Sequence, residues 1–466
     1  MPDAIADHPH DRAATEAPNP TPEGPGFRYV HRILDLVDDD SQQLMGSTVE
    51  QARELLTSGD PEAFGRLRGS FALTARSEDR VYLARSLDRP LRYFLAKEES
   101  GPLLVVAERI DRIAEQLEEL GYGHQFHPSY TRMVPAHHVL SLRLIGCPDP
   151  NPEYLRFFSP PRATATTDVE AAGERYVGAL LEETRRWLAA RPADEPLGVL
   201  FSGGLDSGTV LLCAHQALLD LGQSPARLKA FTLAVDGGGE DLEQAQQFLR
   251  RTELEMLGEL VEVRAEAVNP LAAVEVIEDY RPLDVECAAV LLALLGGIRE
   301  RYPEWRLLLD GDGGDENLKD YPIEDNPELT IRSVVNNSML YQEGWGVNAI
   351  KHSLTYSGGH SRGCVRTYAP LVHYGFEGFS PNLCPAVIAE SEALPFDALT
   401  AGSHDRLYAL KGEVLAAGVR RVLGQELPVF PKRRFQHGAT PSGTFGERPG
   451  MSESLQYRQH FQSLWS

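Results

Sequence analysis

The pattern of apolar and polar positions changes once along this chain, near Asp168. Before that point, residues 27–144 show short apolar runs, loops and two helical stretches, 48–58 and 110–120, which predicts a layered α+β unit. After it, long amphipathic helices alternate with short apolar strands, the pattern of a parallel sheet covered by helices. The chain therefore predicts an α/β protein with two unlike parts.

The second part predicts a definite order of elements. A helix near 169–190 leads into an apolar strand at 197–201, and after a loop a second helix runs from about 207 to 219. Further strands are predicted at 228–235, 260–265 and 305–309. We find no internal repeat in the sequence.

Length and composition suggest where the domains divide. A chain of 466 residues is too long for one hydrophobic core and has room for two. Residues 1–26 are rich in Pro, Ala, Asp and His and have no hydrophobic periodicity, so we expect a disordered leader. The Pro-rich passage 147–161 predicts a linker, which places the domains at 27–165 and 166–466.

Charge and hydropathy narrow the range of partners and of cellular locations that we expect for this protein. With 68 acidic against 45 basic side chains the formal charge is −23, which repels a phosphate backbone, so we expect no nucleic-acid partner. No stretch approaches the roughly 20 apolar residues that span a bilayer, and the N-terminus lacks the apolar core of a signal peptide. We therefore expect a cytoplasmic protein without a membrane partner. Its five cysteines lie far apart and are interpreted as reduced thiols.

A glycine-rich loop follows the first predicted strand of the second part, in LGVLFSGGLDSGTVLL, 197–212. Gly203 and Gly204 let backbone N–H groups approach an anion, and the following helix adds the positive end of its dipole. Ser202 and Ser207 can add hydroxyl donors, and Asp206 can hold a Mg²⁺ that screens phosphates. The loop lacks the GK[ST] ending of a Walker A motif. A plain Gly-rich turn is the alternative, but the complete SGGLDS favours phosphate binding.

The segment SGGLDS is identified as the signature of the PP-loop ATP pyrophosphatases, which cut ATP between its α and β phosphates. The resemblance implies adenylation rather than kinase chemistry, with ATP as the nucleotide. Leu200 and Leu233, on two neighbouring predicted strands, complete the residues predicted to bind the nucleotide near this loop.

A second acidic, Gly-rich segment, LLLDGDGGDENLKDYP at 307–322, resembles the SGEGSDExFGGY segment of asparagine synthetases. The resemblance implies that Asp315 is a second carboxylate for Mg²⁺ and pyrophosphate, and that the backbone of Gly311 lies beside the nucleotide. Asp206 and Asp315 would then hold the metal from two loops. Asp312 falls where asparagine synthetases carry Glu and β-lactam synthetases carry Tyr. A solvated turn is the alternative for this segment taken alone.

Two later segments match the same family in the same order. LYALKGEVLAAG resembles the helix that carries a catalytic lysine, which aligns with Lys411 and would stabilise charge after adenylation, as the adenylate becomes an amide. FPKRRFQHGATPSG resembles the RPKxGxxxGxGT segment of β-lactam synthetases, with Lys432 on its lysine, which would hold pyrophosphate. A lone lysine on an amphipathic helix is usually solvated. The order of all four motifs favours the catalytic interpretation.

The first part is similar to class II glutamine amidotransferase domains, in GRLRGSFALTARSEDRVYLARSLDRPLRYFL, 65–95, and in VVAERIDRI. The resemblance implies an Ntn-hydrolase-like fold. Active members carry a cysteine as residue one, whose α-amine is the general base. Here Met1 precedes Pro2, the first cysteine is Cys147, and no RGPDG or NGEIYN segment is present to hold glutamine. We expect a degenerate domain without glutaminase activity, as in β-lactam synthetases, carbapenam synthetases and lasso-peptide cyclases.

Taken together, residues 27–444 resemble the asparagine synthetase and β-lactam synthetase family. The resemblance implies an ATP- and Mg²⁺-dependent, AMP-forming ligase that joins a small-molecule or peptide carboxylate to an amine. Asp312 would accept the amine's proton, helped by Tyr368. An intramolecular cyclase, a catalytically silent nucleotide-binding subunit and a homodimer stay open. A tRNA-modifying PP-loop protein would need a basic surface and paired cysteines, and the sequence shows neither sign.

Overall fold

The computed structural model describes most of the two parts. The described residues are 30, 32–77, 80–99, 101–143, 152–238, 240–320, 330–336, 364–430, 438–440 and 451–465. The predicted leader, 1–26, lies outside these ranges. None of the helices within them is long and apolar enough to span a membrane.

The first part contains ten strands and three helices in the ranges that are described. The strands are β1 (Arg32–Asp35), β2 (Gln43–Leu44), β3 (Gly69–Ser70), β4 (Ala72–Ser77), β5 (Arg80–Arg85), β6 (Arg92–Lys97), β7 (Pro102–Ala107), β8 (Arg132–Met133), β9 (His138–Arg143) and β10 (Glu153–Arg156). The helices are α1 (Val49–Thr57), α2 (Pro61–Phe64) and α3 (Ile110–Glu119).

Two four-stranded sheets of this part share one hydrophobic core. One sheet has the strand order β1-β7-β6-β8 and the other β10-β9-β5-β4. Apolar side chains of both, such as Leu83 on β5 and Leu104 on β7, meet in a single buried cluster. α1 and α2 pack on the other face of the second sheet, and α3 packs on the other face of the first. Helix, sheet, sheet and helix therefore lie in successive layers.

The second part contains a further five strands and twelve helices in the described ranges. The strands are β11 (Leu197–Leu200), β12 (Leu228–Val235), β13 (Gly258–Val263), β14 (Leu307–Leu309) and β15 (Glu377–Phe379). The helices are α4 (Val169–Ala189), α5 (Leu205–Asp220), α6 (Glu240–Arg251), α7 (Pro270–Ile277), α8 (Pro282–Arg301), α9 (Gly314–Leu318), α10 (Ile331–Asn336), α11 (Ala369–His373), α12 (Pro385–Glu392), α13 (Phe396–Thr400), α14 (His404–Gly418) and α15 (Met451–Ser463).

The five strands form one parallel sheet in the order β13-β12-β11-β14-β15. Alternate residues of β14 face opposite sides, since Leu307 and Leu309 pack with α4, α5 and α14 while Leu308 packs with α8. Helices thus cover both faces, which confirms the predicted parallel sheet. Because β11 and β14 are neighbours, the loops that leave their carboxyl ends lie side by side.

Local signals begin the long helices around this sheet. Asp168 accepts two first-turn N–H groups of α4, at 3.0 and 3.3 Å, and Ser403 accepts one of α14, at 3.3 Å. Pro282 stands in the first turn of α8, where its missing N–H costs no helical bond. Gly204 begins α5 without any side chain to cap it.

Three predictions about elements need correction. The passage predicted as a linker contains β10, which pairs with β9 from Glu153 opposite Ser141 to Arg156 opposite His138, because tertiary pairing outweighs the local proline content. α5 begins at Leu205, two residues before the predicted start, because Gly204 adopts the extended conformation of an N-cap. β15 was missed because it has only three residues, with Gly378 in the middle, and depends on pairing with β14.

Candidate active site

The loop after β11 has a shape that only glycine permits. Gly203 has φ of +75°, and a Cβ there would lie 2.6 Å from the backbone nitrogen of Ala245 on α6. The loop therefore turns sharply and packs directly against α6. This turn places Asp206 and Ser207 in the first turn of α5, rather than in the loop itself.

Two more glycines bring the loop after β14 into contact with the first. A Cβ at Gly311 would lie 2.8 Å from the backbone nitrogen of Ser207. A Cβ at Gly314 would lie 2.1 Å from Oδ1 of Asp206. Both distances are shorter than any normal contact, so larger residues would push the loops apart. The glycines of the second motif thus serve the contact between the two motifs.

A buried hydrogen-bond network holds the second loop from behind. Asn317 donates to the hydroxyl of Tyr176 at 3.1 Å and to the carbonyl of Asn382 at 2.8 Å. Asn382 in turn donates to the carbonyl of Gly311 at 3.1 Å. Buried hydrogen bonds of this kind favour one arrangement of the groups that they join. The backbone of Gly311 is therefore held in place beside α5.

The start of α5 is suited to an anion. The hydroxyls of Ser202 and Ser207 lie 3.2 Å apart, and Ser207 Oγ accepts the backbone N–H of Ser202 at 3.3 Å. Gly204, at the N-cap of α5, has no side chain that could occupy the first-turn N–H groups. The N–H groups at a helix start and the helix dipole together favour negative charge at such a position.

Close helix packing brings Lys411 to the same place. A Cβ at Gly173 on α4 would lie 2.3 Å from the carbonyl oxygen of Val414, and one at Gly418 would lie 2.3 Å from the carbonyl oxygen of Gly173. α14 therefore lies directly on α4. Lys411, on α14, is 2% exposed and points its ammonium group at the two loops.

The ammonium of Lys411 joins the carboxylates of both motifs. Its Nζ lies 2.6 Å from Oδ2 of Asp206, donates to Oδ1 of Asp315, and lies 3.6 Å from Oδ2 of Asp320. Burial alone would lower the pKa of Lys411, but the three carboxylates outweigh it and hold that pKa well above its usual range. Lys411 is therefore a permanent cation at the point where Asp206 and Asp315 converge.

The donor set of Asp206 and Asp315 fits a Mg²⁺ that arrives with a nucleotide. Both carboxylates reach one cation, and their oxygens are the hard ligands that Mg²⁺ prefers. Within the described ranges, no group of three or more His, Cys, Asp and Glu side chains is placed to hold a metal ion alone. Two carboxylates completed by substrate phosphates are a common way to bind Mg²⁺.

Asp312 lies beside this cluster and has its own contacts. Its backbone N–H donates to Oδ1 of Asp310 at 2.9 Å, and Ser380 donates to Asp310 at 2.7 Å. The hydroxyl of Thr367 donates to Oδ2 of Asp312. Burial raises the pKa of Asp312 above its usual range, although Arg366 and Thr367 oppose that shift. A carboxylate with a raised pKa is a better proton acceptor than an ordinary aspartate.

Tyr368 was predicted to assist Asp312, but its hydroxyl donates to Glu108 of the first part at 3.0 Å. Burial raises the pKa of Tyr368 well above its usual range, so the hydroxyl keeps its proton. The side chain that contacts Asp312 is that of the preceding residue, Thr367. These contacts favour a positioning role for Tyr368 over proton transfer.

Three predicted site residues remain, Leu200, Leu233 and Lys432. Leu200 and Leu233 pack in the apolar cluster on the α8 side of the parallel sheet. Lys432 lies outside the described residues.

Two cavities have walls formed by other residues. One, of about 300 Å³, lies between α6 and β13 and is lined by residues such as Leu249 and Leu260. The other, of about 400 Å³, lies between α1, α2 and the second sheet of the first part, with Phe64 and Val139 in its wall. None of the predicted site residues lines either one. The chemistry is therefore sought at the charged cluster.

Sequence reasoning missed two residues that contact the site. Asp320 lies 3.6 Å from Lys411 and belongs to the second motif, five residues after Asp315, so its acidic character in that segment was a usable signal. Thr367 lies in a segment without any motif, and only the tertiary structure brings it to Asp312. The structure thus enlarges the candidate site beyond the four motifs.

The parallel sheet, the start of α5 and the convergent carboxylates together form a charged site at the carboxyl edge of an α/β domain. Residues 182–357 match the family model of asparagine synthase. The match includes Asp206 and Asp315 and ends before Lys411. No curated protein matches the chain. The match shows an asparagine synthetase-like synthetase domain at these residues, which implies an ATP-dependent amide-forming ligase, and it supports the resemblance of the segments at 197–212 and 307–322.

Proposed function

We propose that this protein adenylates a carboxylate with ATP and then joins it to an amine, releasing pyrophosphate and AMP. The observation that carries the proposal is the meeting of Asp206, Asp315 and Lys411 next to the uncapped start of α5. The start of α5 offers N–H groups to phosphate, two carboxylates offer a metal site, and the ammonium of Lys411 offsets part of their charge. These features suit a reaction at the α and β phosphates.

In the first step, a carboxylate oxygen of the substrate attacks the α-phosphorus of ATP. The bond from that phosphorus to the bridging oxygen breaks, and pyrophosphate leaves. A Mg²⁺ held by Asp206 and Asp315 would supply charge neutralisation to the leaving group. Ser202, Ser207 and the N–H groups of α5 orient the phosphates, which lowers the entropic part of the barrier.

In the second step, the amine nitrogen attacks the carbonyl carbon of the acyl-adenylate. The nitrogen loses a proton and AMP leaves with the bonding electrons. Asp312 would take that proton, a role supported by its raised pKa and by the hydrogen bond from Thr367 to one of its oxygens. Lys411 offsets negative charge around the reacting groups.

The first part would be a degenerate class II amidotransferase domain with an Ntn-hydrolase-like fold, which supplies no ammonia. Its two stacked sheets with outer helices are compatible with that origin. The printed sequence places no cysteine before Cys147, so the first part offers no thiol nucleophile within residues 27–144. Under this proposal the amine comes from a substrate or from free ammonia.

The ligase activity can be measured without knowing the amine. Purified protein should release AMP and pyrophosphate from ATP when Mg²⁺, hydroxylamine and the correct carboxylate are present, because hydroxylamine captures acyl-adenylates as hydroxamates. The twenty standard amino acids and a set of β-amino acids would be tested as carboxylates, with the Asp315→Asn variant as the control. Formation of ADP and phosphate instead of AMP and pyrophosphate would contradict adenylation.

Glutamine should not be hydrolysed by the purified protein. The class II reaction needs a cysteine thiol as its nucleophile, and residues 27–144 contain no cysteine. Glutamate release would be measured with and without ATP. Glutamate above the level of a heat-inactivated sample would show that a glutaminase site exists.

A further inference from the structure

Glu108, at the end of β7, connects the first part of the chain to the candidate site. Three donors converge on its Oε1: Nε of Arg89 at 2.7 Å, Nη2 of Arg89, and the hydroxyl of Tyr368 at 3.0 Å. The guanidinium of Arg89 also stacks over the ring of Tyr368, with 5.4 Å between its carbon and the ring centroid. One carboxylate oxygen and one guanidinium thus hold a tyrosine that lies 260 residues further along the chain.

Glu108 is fixed within its own part of the molecule. Arg89 is fully buried and donates to the carbonyl and the hydroxyl of Ser41, each at 2.8 Å. Arg92 donates to the backbone carbonyl of Glu108. Because side chain and backbone of Glu108 are both held, Tyr368 meets a rigid acceptor rather than a mobile surface carboxylate.

The next residues attach the same corner to α7. Glu278, which follows α7 and is 2% exposed, accepts the N–H of Ile110 at 2.9 Å and that of Asp111 at 2.8 Å. A carboxylate of the second part therefore caps α3 of the first part. Arg109 adds a bond to the carbonyl of Val276 at 2.7 Å. The corner at 108–111 is thus anchored in both parts of the chain.

The segment that Glu108 holds reaches Asp312 through the adjoining side chain. Thr367 precedes Tyr368, is 5% exposed, and donates its hydroxyl to Asp312. Cys364–Tyr368 form a π-helical turn, in which consecutive side chains point in different directions, so one turn can present Tyr368 to the first part and Thr367 to the site. Arg366 belongs to the same turn, and its Nη2 lies 3.4 Å from Oε1 of Glu316, the residue that follows Asp315.

We propose that Glu108 is a positioning residue: through Tyr368 it holds residues 366–368 so that Thr367 stays on Asp312. The first part of the chain then acts as a brace, meaning a rigid support for the site of amide formation. This role does not depend on whether that part derives from an amidotransferase. The link from Asp312 to amine attack rests on the function proposed above. The brace itself is a property of the folded chain and can be tested without substrate.

The test compares Glu108→Ala with Glu108→Gln and Tyr368→Phe. All three donors use one oxygen of Glu108, so the amide oxygen of Gln can replace it, whereas Ala removes every bond. Without substrate, backbone amides of residues 366–373 should exchange with D₂O about tenfold faster in Glu108→Ala and in Tyr368→Phe, since the bond contributes to local stability. Glu108→Gln should exchange at the rate of the unchanged protein. Glu115→Ala removes an exposed carboxylate of α3 and serves as the matched control.

The kinetic readout separates positioning from a general loss of structure. Glu108→Ala and Tyr368→Phe should lower kcat of amide formation about tenfold, while pyrophosphate exchange and the KM for ATP change less than about threefold. Combined, the two changes should cost no more than the larger one alone, because they remove the same contact. Unchanged exchange of 366–373 in both variants, or a Glu108→Gln variant as impaired as Glu108→Ala, would overturn the proposal. Faster exchange in a protein that adenylates nothing would support the brace and refute the proposed function.

Discussion

Asp206→Asn and Asp315→Asn should each lower Mg²⁺-dependent AMP formation by at least about a hundredfold, because one preorganised electrostatic contact to a reacting group is worth that much or more. The two carboxylates converge on one point, where Nζ of Lys411 lies 2.6 Å from Asp206 and in contact with Asp315. An amide has the shape of the carboxylate but not the charge that attracts Mg²⁺. Each variant should keep its fold, since Lys411 retains two other carboxylate neighbours.

The measurement is AMP release at a series of Mg²⁺ concentrations, with the melting temperature as the check on folding. Asp220→Asn is the matched control, because Asp220 is an exposed aspartate at the other end of α5 and contacts Gln216. It should leave the rate unchanged. Normal turnover in Asp206→Asn or Asp315→Asn, with the protein folded, would show that the two loops do not hold the metal.

Lys411→Met should lower the rate of pyrophosphate exchange and the rate of amide formation, each by at least about a hundredfold. Methionine has a similar length but no charge, so Asp206, Asp315 and Asp320 would lose the ammonium group that they share. Removing one partner from a buried ionic cluster typically costs about 3 kcal/mol of stability or more. Since Asp315 is 41% exposed, part of that cost is screened by water, and the fold should survive.

The comparison of the two steps in Lys411→Met decides where the lysine acts. The family resemblance alone placed its action after adenylation, whereas its contacts with both metal carboxylates favour a role from adenylation onward. Exchange that continues while amide formation stops would show that Lys411 acts only in the second step. Lys229→Met is the control, because Lys229 also pairs with a carboxylate, that of Glu259 at 2.7 Å. This pair lies at the amino end of β12, whereas the two loops of the site leave the carboxyl ends of their strands.

The amino-acid sequence alone determined the parallel sheet and the two loops of the site. The predicted strand at 228–235 has the same bounds as β12, because its apolar run is long and clearly different from the residues on either side of it. SGGLDS and the acidic Gly-rich segment could be recognised because each is contiguous, and contiguous motifs are local features that a sequence displays directly. Short elements such as β15 escaped, since pairing rather than composition creates them.

Only the tertiary structure decided how the site is completed. Lys411 meets Asp206 across 205 positions of sequence, because paired glycines let α14 lie directly on α4. Thr367 contacts Asp312, and Glu108 holds Tyr368, although no single motif contains both members of either pair. Such contacts depend on the order of the strands and on the packing of helices across the sheet, and both are properties of the whole chain. Local sequence can therefore name the chemistry of a loop, while the partners that charge, orient and brace it emerge only from the fold.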